Sequence, residues 1–420
     1  MKKVYIETNG CAVVRHDTQR YSKFFRLNGW DEIDSARDAD FVLMTTCAVV
    51  ESTEKYALES ILRIKSEMKK DAQFVVSGCL PKVNSLKLNE IFKGVTFSSR
   101  EENILNDLID AKIKIDDVYF DGDIQREHSF GDPEIKYTQN ELDQLSLTQI
   151  LTNKFNDTSF IEIYNYLTRG KHFWKEQDLF EVKVAEGCLY RCSYCGTKNA
   201  RGNLKSRLPE KILSEFKFGA EKYSKILLTG DEVGEYGVDL GLTLVDLLDQ
   251  LIPNHPKTRV ALRYVSPSSL IRYHAKLTNY FESGNVYFIC SPFQSGSSSI
   301  LKLMNRSADI RPFVSVVKDI SKNFPNVYKH TQMIVGFPQE TEEDFECSLD
   351  VLKQCKFDYV TITGYSDRPN TEASKLDHKL KQEVIDLRCE QAHKLVAEIR
   401  EQNFWEKMKR KLLETIKTEK

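Results

Sequence analysis

The sequence predicts an α/β protein built from two parallel-sheet units, an open sheet near the N-terminus and a partial β/α barrel in the C-terminal half. Two observations carry this. Three short apolar runs in the first 80 residues each end in a loop that holds a cysteine, and from residue 179 onward strand-like and helix-like segments alternate. Composition agrees: of 420 residues 41% are hydrophobic and 29% charged, which supports sizeable cores and excludes a disordered or fibrous chain.

Taken in order, "KKVYIE", "DFVLMTT" and "QFVVSGC" read as buried strands whose following loops carry Cys11, Cys47 and Cys79. Parallel strands would bring these three cysteines to one sheet edge, where open α/β sheets place ligand sites. Three unrelated core cysteines would not all follow strand-like runs. Cys79 and Cys188 lie 109 positions apart, and an aromatic-rich stretch at 138–176 reads as an extra two-helix segment, either a recognition module or a linker packed between domains.

Next, "LFEVKVAEG" reads as a strand delivering "CLYRCSYC", which sets Cys188, Cys192 and Cys195 at C-x3-C-x2-C spacing. In a chain of this length clustered thiols point to metal or redox chemistry rather than disulfides. Structural zinc wants four ligands in two pairs, and no second C-x2-C or H-x3-H pair exists. Three thiolates can instead hold three irons of a [4Fe–4S] cluster, leaving the fourth iron open to another ligand.

Beyond it, "EKILSEFKFGAEKY", "TLVDLLDQLI" and "EEDFECSLDVLKQC" read as helices. Between them "SKILLTG", "RVALRYV", "VYFICSPFQSGS", "VYKHTQMIVGFPQET" and "YVTITGYS" read as strands. Such alternation predicts a curled parallel sheet with functional groups at the strand C-terminal ends. The C-terminal "DLRCEQAHKLVAEIREQNFWEKMKRKLLETIKTEK" has helical period and no strand pattern.

Charge and hydropathy bound the partners. A net charge of −2 lacks the basic excess common in nucleic-acid binders. No segment approaches the roughly 20 apolar residues of a membrane span, and Met1 leads directly into "KKVYIETNGC" without a signal-peptide core. A cytoplasmic location and no membrane partner are expected.

The spacing at Cys188, Cys192 and Cys195, with aromatic Tyr194 before the third cysteine, resembles the signature of the radical S-adenosylmethionine (SAM) superfamily. Within it, "ARGNLKSR", "LTGDEVGEYGVDLG", "SPFQSGSSSILKLMNR", "IVGFPQETEEDF" and "YSDRPNTEASKL" are similar to the methylthiotransferases, over residues 182 to about 395. "TKNARGNLKS" and "YGVDLG" are most similar to the branch acting on threonylcarbamoyladenosine in tRNA. The family also carries three cysteines after motifs like "TNGC", "TTC" and "SGCLPK", which supply Cys11, Cys47 and Cys79 here.

The resemblance implies a flavodoxin-like N-terminal domain at 1–115 with an auxiliary [4Fe–4S] cluster, and a largely helical linker or insertion at 116–178. A radical SAM barrel at 179–395 and a helical tail at 396–420 would follow. It implies two [4Fe–4S] clusters and SAM as cofactors, with Cys11, Cys47 and Cys79 ligating one cluster and Cys188, Cys192 and Cys195 the other. Tyr194 would shield the second cluster and pack near the adenine of SAM; Gly230, Asp231 and Glu232 would meet the methionine amino group; Gln294 and Arg306 would lie near SAM, Arg306 against its carboxylate. No protein side chain is assigned as catalytic. Cys290, Cys347, Cys355 and Cys389 are expected to be ordinary cysteines.

The implied chemistry replaces C–H by C–S–CH3. One SAM methylates a sulfur on the auxiliary cluster; another, on the radical cluster, gives the 5′-deoxyadenosyl radical that removes the substrate hydrogen. A donor such as flavodoxin or ferredoxin would supply the electron. The chain departs from the family's usual pattern at Val13 and Val14, where Asn is usual near the first cysteine, at Thr45 for Asn, at Gln332 for Asp, at Cys290 for His, and in "SAD" after Arg306. Together with the C-terminal helix where the family usually has a small substrate-gripping β-barrel, these favour a peptide or protein side chain as substrate. A tRNA adenosine is the alternative, supported by the branch resemblance and the basic "KMKRKLLETIKTEK" tail, and a non-catalytic metal-stabilised scaffold is the third reading.

Overall fold

In the computed structural model residues 2–118 and 179–418 are described. The expected two-helix segment at 138–176 lies outside them. The first unit is a five-stranded parallel sheet of β1 (Lys3–Thr8), β2 (Asp31–Glu32), β3 (Phe41–Thr46), β4 (Gln73–Gly78) and β5 (Val95–Phe97), ordered β2-β1-β3-β4-β5. Every residue of β3 is buried, as a central strand covered on both faces must be.

Alternation along that strand sorts the core. Phe41 and Leu43 pack with Tyr21, Phe24 and Phe25 of α1 (Ala12–Leu27), whereas Val42 and Met44 pack with Ala57, Ile61 and Ile64 of α2 (Glu51–Glu67) on the other face. Short helices α3 (Leu80–Val83), α4 (Ser85–Ile91) and α5 (Ile104–Leu108) complete the unit. Its strand order is the flavodoxin-like one, with a topological switch point between β1 and β3.

The second unit is a six-stranded parallel sheet, β6 (Leu179–Lys183), β9 (Lys225–Thr229), β10 (Arg259–Arg263), β11 (Val286–Cys290), β12 (Tyr328–Val335) and β13 (Tyr359–Gly364), joined in that order. A small antiparallel pair, β7 (Ala185–Glu186) and β8 (Lys205–Ser206), frames the loop after β6. Helices α6 (Thr197–Arg201), α7 (Pro209–Lys222), α8 (Leu244–Leu251), α9 (Pro267–Glu282), α10 (Ser298–Leu303), α11 (Arg311–Asn323) and α12 (Glu342–Cys355) intervene, and α13 (Gln382–Thr418) ends the described chain. Outward residues such as Phe180, Ile226, Leu228, Val260 and Leu262 form the helix-covered core, while Leu227, Ala261, Phe288 and Cys290 plug the inside. The sheet is therefore a partial barrel, with β6 and β13 at its edges.

Each segment expected to be a strand is one, and the three expected helices are α7, α8 and α12. Helices α9 and α11 were outside those expectations. Both open at Pro-containing first turns, and α9 buries only Leu270, Tyr273, Leu277 and Phe281 as large apolar side chains, a stripe thin enough to read as loop. The expected boundary at 395/396 falls inside continuous α13, whose Ala392 and Val396 belong to the barrel core. Arg388 fixes this helix by bonding Glu340 at 2.8 Å and Glu342 at 2.9 Å.

Candidate active site

The N-terminal sheet ends in three cysteine loops. Cys11 follows β1 and stands at the N-cap of α1, Cys47 follows β3, and Cys79 follows β4, so three adjacent parallel strands deliver them to one edge, two of them flanking the switch point. Asn9 stitches the first two loops: its Oδ1 accepts the Cys47 N–H at 2.9 Å while its Nδ2 donates to Thr53 O at 2.8 Å. The Cys79 N–H donates to Thr46 O at 2.9 Å. This approach requires Gly78, with φ +99°, because a Cβ there would lie 2.2 Å from Thr46 O.

The unusual residues of this region are packing residues. Val13 and Val14 are buried, and the hydroxyls of Thr45 and Thr18 meet at 2.7 Å, closing β3 against α1. A hydrogen bond with Cys47 lowers the Cys11 thiol below the usual thiol range, and burial pushes Cys79 up to about 12.

The second set is local. Cys188, Cys192 and Cys195 share one loop after β7, each half-buried and all free. Burial pushes Cys188 up to about 12, with Glu232 adding to the effect, and raises Cys195 as well. Ser193 anchors the loop: its N–H donates to Met304 O at 3.0 Å, its hydroxyl to Leu303 O at 2.7 Å. Tyr194 packs edge-on against Phe337, 6.5 Å between ring centroids, and Arg306 donates to its hydroxyl at 3.3 Å.

Arg306 also reaches Cys192 Sγ at 3.6 Å and Pro292 O at 2.8 Å, which fixes its guanidinium beside the cysteine loop. Gln294, left-handed at φ 68°, bridges the end of β11 to β12 through backbone bonds with Gln332 and Ile334. Gly230 abuts β7, where a Cβ would lie 2.8 Å from Ala185 O. Asp231 accepts the Gly187 N–H at 2.7 Å and so braces the cysteine loop, whereas Glu232 accepts the Ser266 N–H at 2.9 Å and burial pushes it up to about 8. An open cleft of about 150 Å³ lies alongside, lined by Tyr190, Cys192, Phe293, Asn305, Arg306 and Phe313 among others.

A buried ionic seam joins the two sets, and sequence reasoning missed it. Asp17 of α1 accepts Lys183 Nζ at 2.6 Å and Arg201 Nη1 at 2.9 Å; Glu186 accepts the same cations at 3.3 and 3.4 Å and a hydrogen bond from Ser99. Burial pushes the Asp17 carboxyl up, but Lys183 and Arg201 outweigh it and hold it well below the usual carboxylate range. Arg201 also acts on the Cys79 thiol. Arg201 stands in the noted "ARGNLKSR", but its partner Asp17 is 184 positions away and carries no motif.

Six thiols in two sets of three are the donor chemistry of two iron–sulfur clusters, each short of one ligand. Among the described residues no three His, Cys, Asp or Glu side chains converge closely enough for a single metal ion, so the fit rests on the donors. Cys290 is wholly buried against the barrel interior and Cys355 in its helical core.

A parallel half-barrel that presents three thiols at C-x3-C-x2-C defines a radical SAM enzyme, and residues 182–352 match the radical SAM superfamily model. Residues 3–98 match an uncharacterized protein family, UPF0004. A probable threonylcarbamoyladenosine tRNA methylthiotransferase of Pyrococcus abyssi is 30% identical over 377 residues, covering 89% of this chain and 79% of the relative. The tRNA-2-methylthio-N(6)-dimethylallyladenosine synthase of Bacillus subtilis is 29% identical over 408 residues, covering 95% and 72%. The chain belongs to the radical SAM methylthiotransferase family, whose members insert sulfur using SAM and [4Fe–4S] clusters. A non-catalytic scaffold is thereby replaced by an enzyme. Among solved structures, a cobalamin-dependent SAM radical enzyme, OxsB, shares the fold with TM-score 0.52 and 13% identity over 92% of this chain, which spans 56% of that protein.

Proposed function

We propose that the chain methylthiolates an adenosine of tRNA, and that threonylcarbamoyladenosine is the substrate nucleoside. The observation that carries the chemistry is that one three-cysteine set ends three parallel strands, the other shares the loop after β7, and one buried seam joins them. The relatives support the substrate, since both of those compared above are named for tRNA adenosines. The peptide or protein side chain favoured by the sequence has no counterpart in those names and is set aside.

In this reading residues 1–115 carry the auxiliary cluster and 179–395 form the radical SAM barrel, with 116–178 linking them and 396–420 as the tail, which begins within the helix Gln382–Thr418. Cys11, Cys47 and Cys79 would hold one [4Fe–4S] cluster; Cys188, Cys192 and Cys195 would hold the other and leave one iron open to SAM. When bound, the clusters supply the reductive cleavage of SAM and the sulfur that is transferred.

The chain's own residues bind and orient. Glu232, buried beside Cys188, would accept the ammonium of SAM, which would draw its proton off; Asp231 holds the Gly187 backbone so that the loop keeps its place. Arg306, set against Cys192 and Tyr194, would meet the SAM carboxylate, and Gln294 fixes the adjoining strand ends. Phe293 and Phe313 in the cleft would keep water from the reacting groups. An electron donor such as flavodoxin or ferredoxin completes the partners. A cytoplasmic site of action fits this reading; among the described residues no helix is long and apolar enough to cross a membrane.

Anaerobically reconstituted protein incubated with SAM, a reductant and unmethylthiolated tRNA should yield a methylthioadenosine on nucleoside mass spectrometry. A product on added peptides and none on tRNA would restore the peptide reading.

A further inference from the structure

The first turn of α2 is tied to two of the three N-terminal cysteine loops. Asn9 Nδ2 donates to Thr53 O at 2.8 Å, and the same side chain accepts the Cys47 N–H at 2.9 Å. One residue on, each oxygen of the Glu54 carboxylate accepts Asn84 Nδ2 at 3.1 Å, and Asn84 ends the short helix that Cys79 begins. Glu54 is only 1% exposed, a burial that a carboxylate tolerates when it is paired.

The loop after β13 reaches this turn from the barrel. Ser366 Oγ accepts the Glu51 N–H at 2.9 Å, and Arg368, itself buried, donates from Nη1 to Glu54 at 2.8 Å. The same loop also holds the barrel cysteines: the Ala373 N–H donates to Ser193 O at 2.8 Å, between Cys192 and Cys195. Gly196, next after Cys195, fits tightly between the units, since a Cβ there would lie 3.2 Å from Val83 Cγ1 and 3.4 Å from Arg368 Cβ. Direct contacts therefore run from the Cys47 and Cys79 loops through Glu54 and Arg368 to the loop of Cys192 and Cys195.

We infer that Arg368 is a positioning residue whose bond to Glu54 sets the separation and angle of the two cysteine sets, so that both act on one substrate atom. Stability alone is a poor reason for a buried ion pair, because apolar side chains of similar volume often do as well. What the pair adds here is direction. The Asp17 seam fixes the units at one place, about which they could rock; a second bond, from a different helix of the N-terminal unit, removes that freedom. Methylthio transfer needs both sets aligned on the substrate, whereas SAM cleavage needs only the barrel set, and a misplacement of about 1 Å can cost about 100-fold in an alignment-dependent step. The inference rests on the assignment of one cluster to each set in the proposed function, not on the choice of substrate.

The test uses the full chain, reconstituted anaerobically, as wild type, Arg368→Gln, Arg368→Lys and Lys87→Ala. Lys87 pairs with the same carboxylate at 3.0 Å from within the N-terminal unit, so it serves as the control. Four quantities are read on each: iron per chain, 5′-deoxyadenosine formed, methylthio groups transferred to tRNA, and the spin–spin coupling between the two reduced clusters. Arg368→Gln should keep its iron and hold deoxyadenosine formation within about twofold, yet lose about 10- to 100-fold in transfer and change the coupling. Arg368→Lys should recover part of both, and Lys87→Ala should match wild type.

Equal losses of transfer and deoxyadenosine formation in Arg368→Gln, or an unchanged coupling, would overturn the inference and leave the pair a contact of the fold alone. So would equally strong uncoupling of the two products in Lys87→Ala, or the absence of spin coupling in wild type. Should Arg368→Gln fail to fold, the double variant Glu54→Gln with Arg368→Met, which leaves no unpaired charge buried, must uncouple the products for the inference to stand. Wild type that cleaves SAM but methylthiolates no RNA removes the tRNA reading, and the spin coupling still decides the role of Arg368. A single cluster in wild type removes the cluster assignment, and this inference with it.

Discussion

The two cysteine sets present the same three donors by opposite means. Cys188, Cys192 and Cys195 lie within eight residues on one loop, while Cys11, Cys47 and Cys79 span 69 positions and meet only because β1, β3 and β4 are neighbours in a parallel sheet. A local set survives as long as its loop does. A set assembled by topology depends on strand register, on Gly78 and on Asn9 bridging two loops. The difference teaches that the barrel set should tolerate damage elsewhere, whereas the N-terminal set should feel the packing around it.

The largest expected effect comes from removing either set. Reconstituted wild type should hold about eight irons, four for each cluster. Ala at Cys188, Cys192 and Cys195 should leave about half and abolish SAM cleavage. Ala at Cys11, Cys47 and Cys79 should also leave about half, yet retain reductive formation of 5′-deoxyadenosine while losing methylthio transfer. Iron analysis and chromatography of the SAM products decide it; a second variant unable to cleave SAM despite its remaining cluster would dissolve the distinction between the sets.

A smaller effect should follow from cutting the seam. Asp17→Asn leaves Lys183 and Arg201 buried with less negative charge facing them, and breaking such a pair costs about 3–5 kcal/mol. The sign with pH follows from the folded-state pKa of Asp17, which lies below its unfolded value near 3.9. Its stabilisation is present above the unfolded value and lost as pH falls through the folded one. Urea unfolding at pH 7 should show the full difference between wild type and Asp17→Asn, and the gap should narrow in strong acid. A constant gap down to the lowest accessible pH would mean that the ionised carboxylate is not what stabilises the seam.

Legibility in the sequence follows the same division. Strands such as Phe41–Thr46 and Lys225–Thr229 are continuous apolar runs bounded by turn signals, and the C-x3-C-x2-C loop is a contiguous pattern. Cys11, Cys47 and Cys79 were placed together by the expectation of parallel strands, and the sheet order agrees. What stayed hidden is pairing at a distance. Asp17 with Arg201 and Glu54 with Arg368 at 2.8 Å across 314 positions each join residues that look like ordinary surface charges until the two units pack. Helix α9 was missed for another reason: its buried stripe is thin, and polar side chains dominate its text.

The smallest expected effect probes how closely the N-terminal set depends on its surroundings. Thr45 stands two residues before Cys47, and its hydroxyl meets that of Thr18 at 2.7 Å in the buried contact between β3 and α1. Thr45→Val keeps the shape and removes the hydroxyl, leaving Thr18, which also donates to Val14 O at 2.7 Å, with one satisfied bond instead of two. Losing one such buried bond should cost about 1 kcal/mol in urea unfolding. Because the Asn9 bridge to Cys47 and the Gly78 turn are untouched, iron content should stay at the wild-type level. If this change of one hydroxyl empties the auxiliary site, that set is poised far more delicately than its backbone supports imply; if Ser193→Ala in the barrel loop empties its site equally readily, the contrast between local and topological presentation fails.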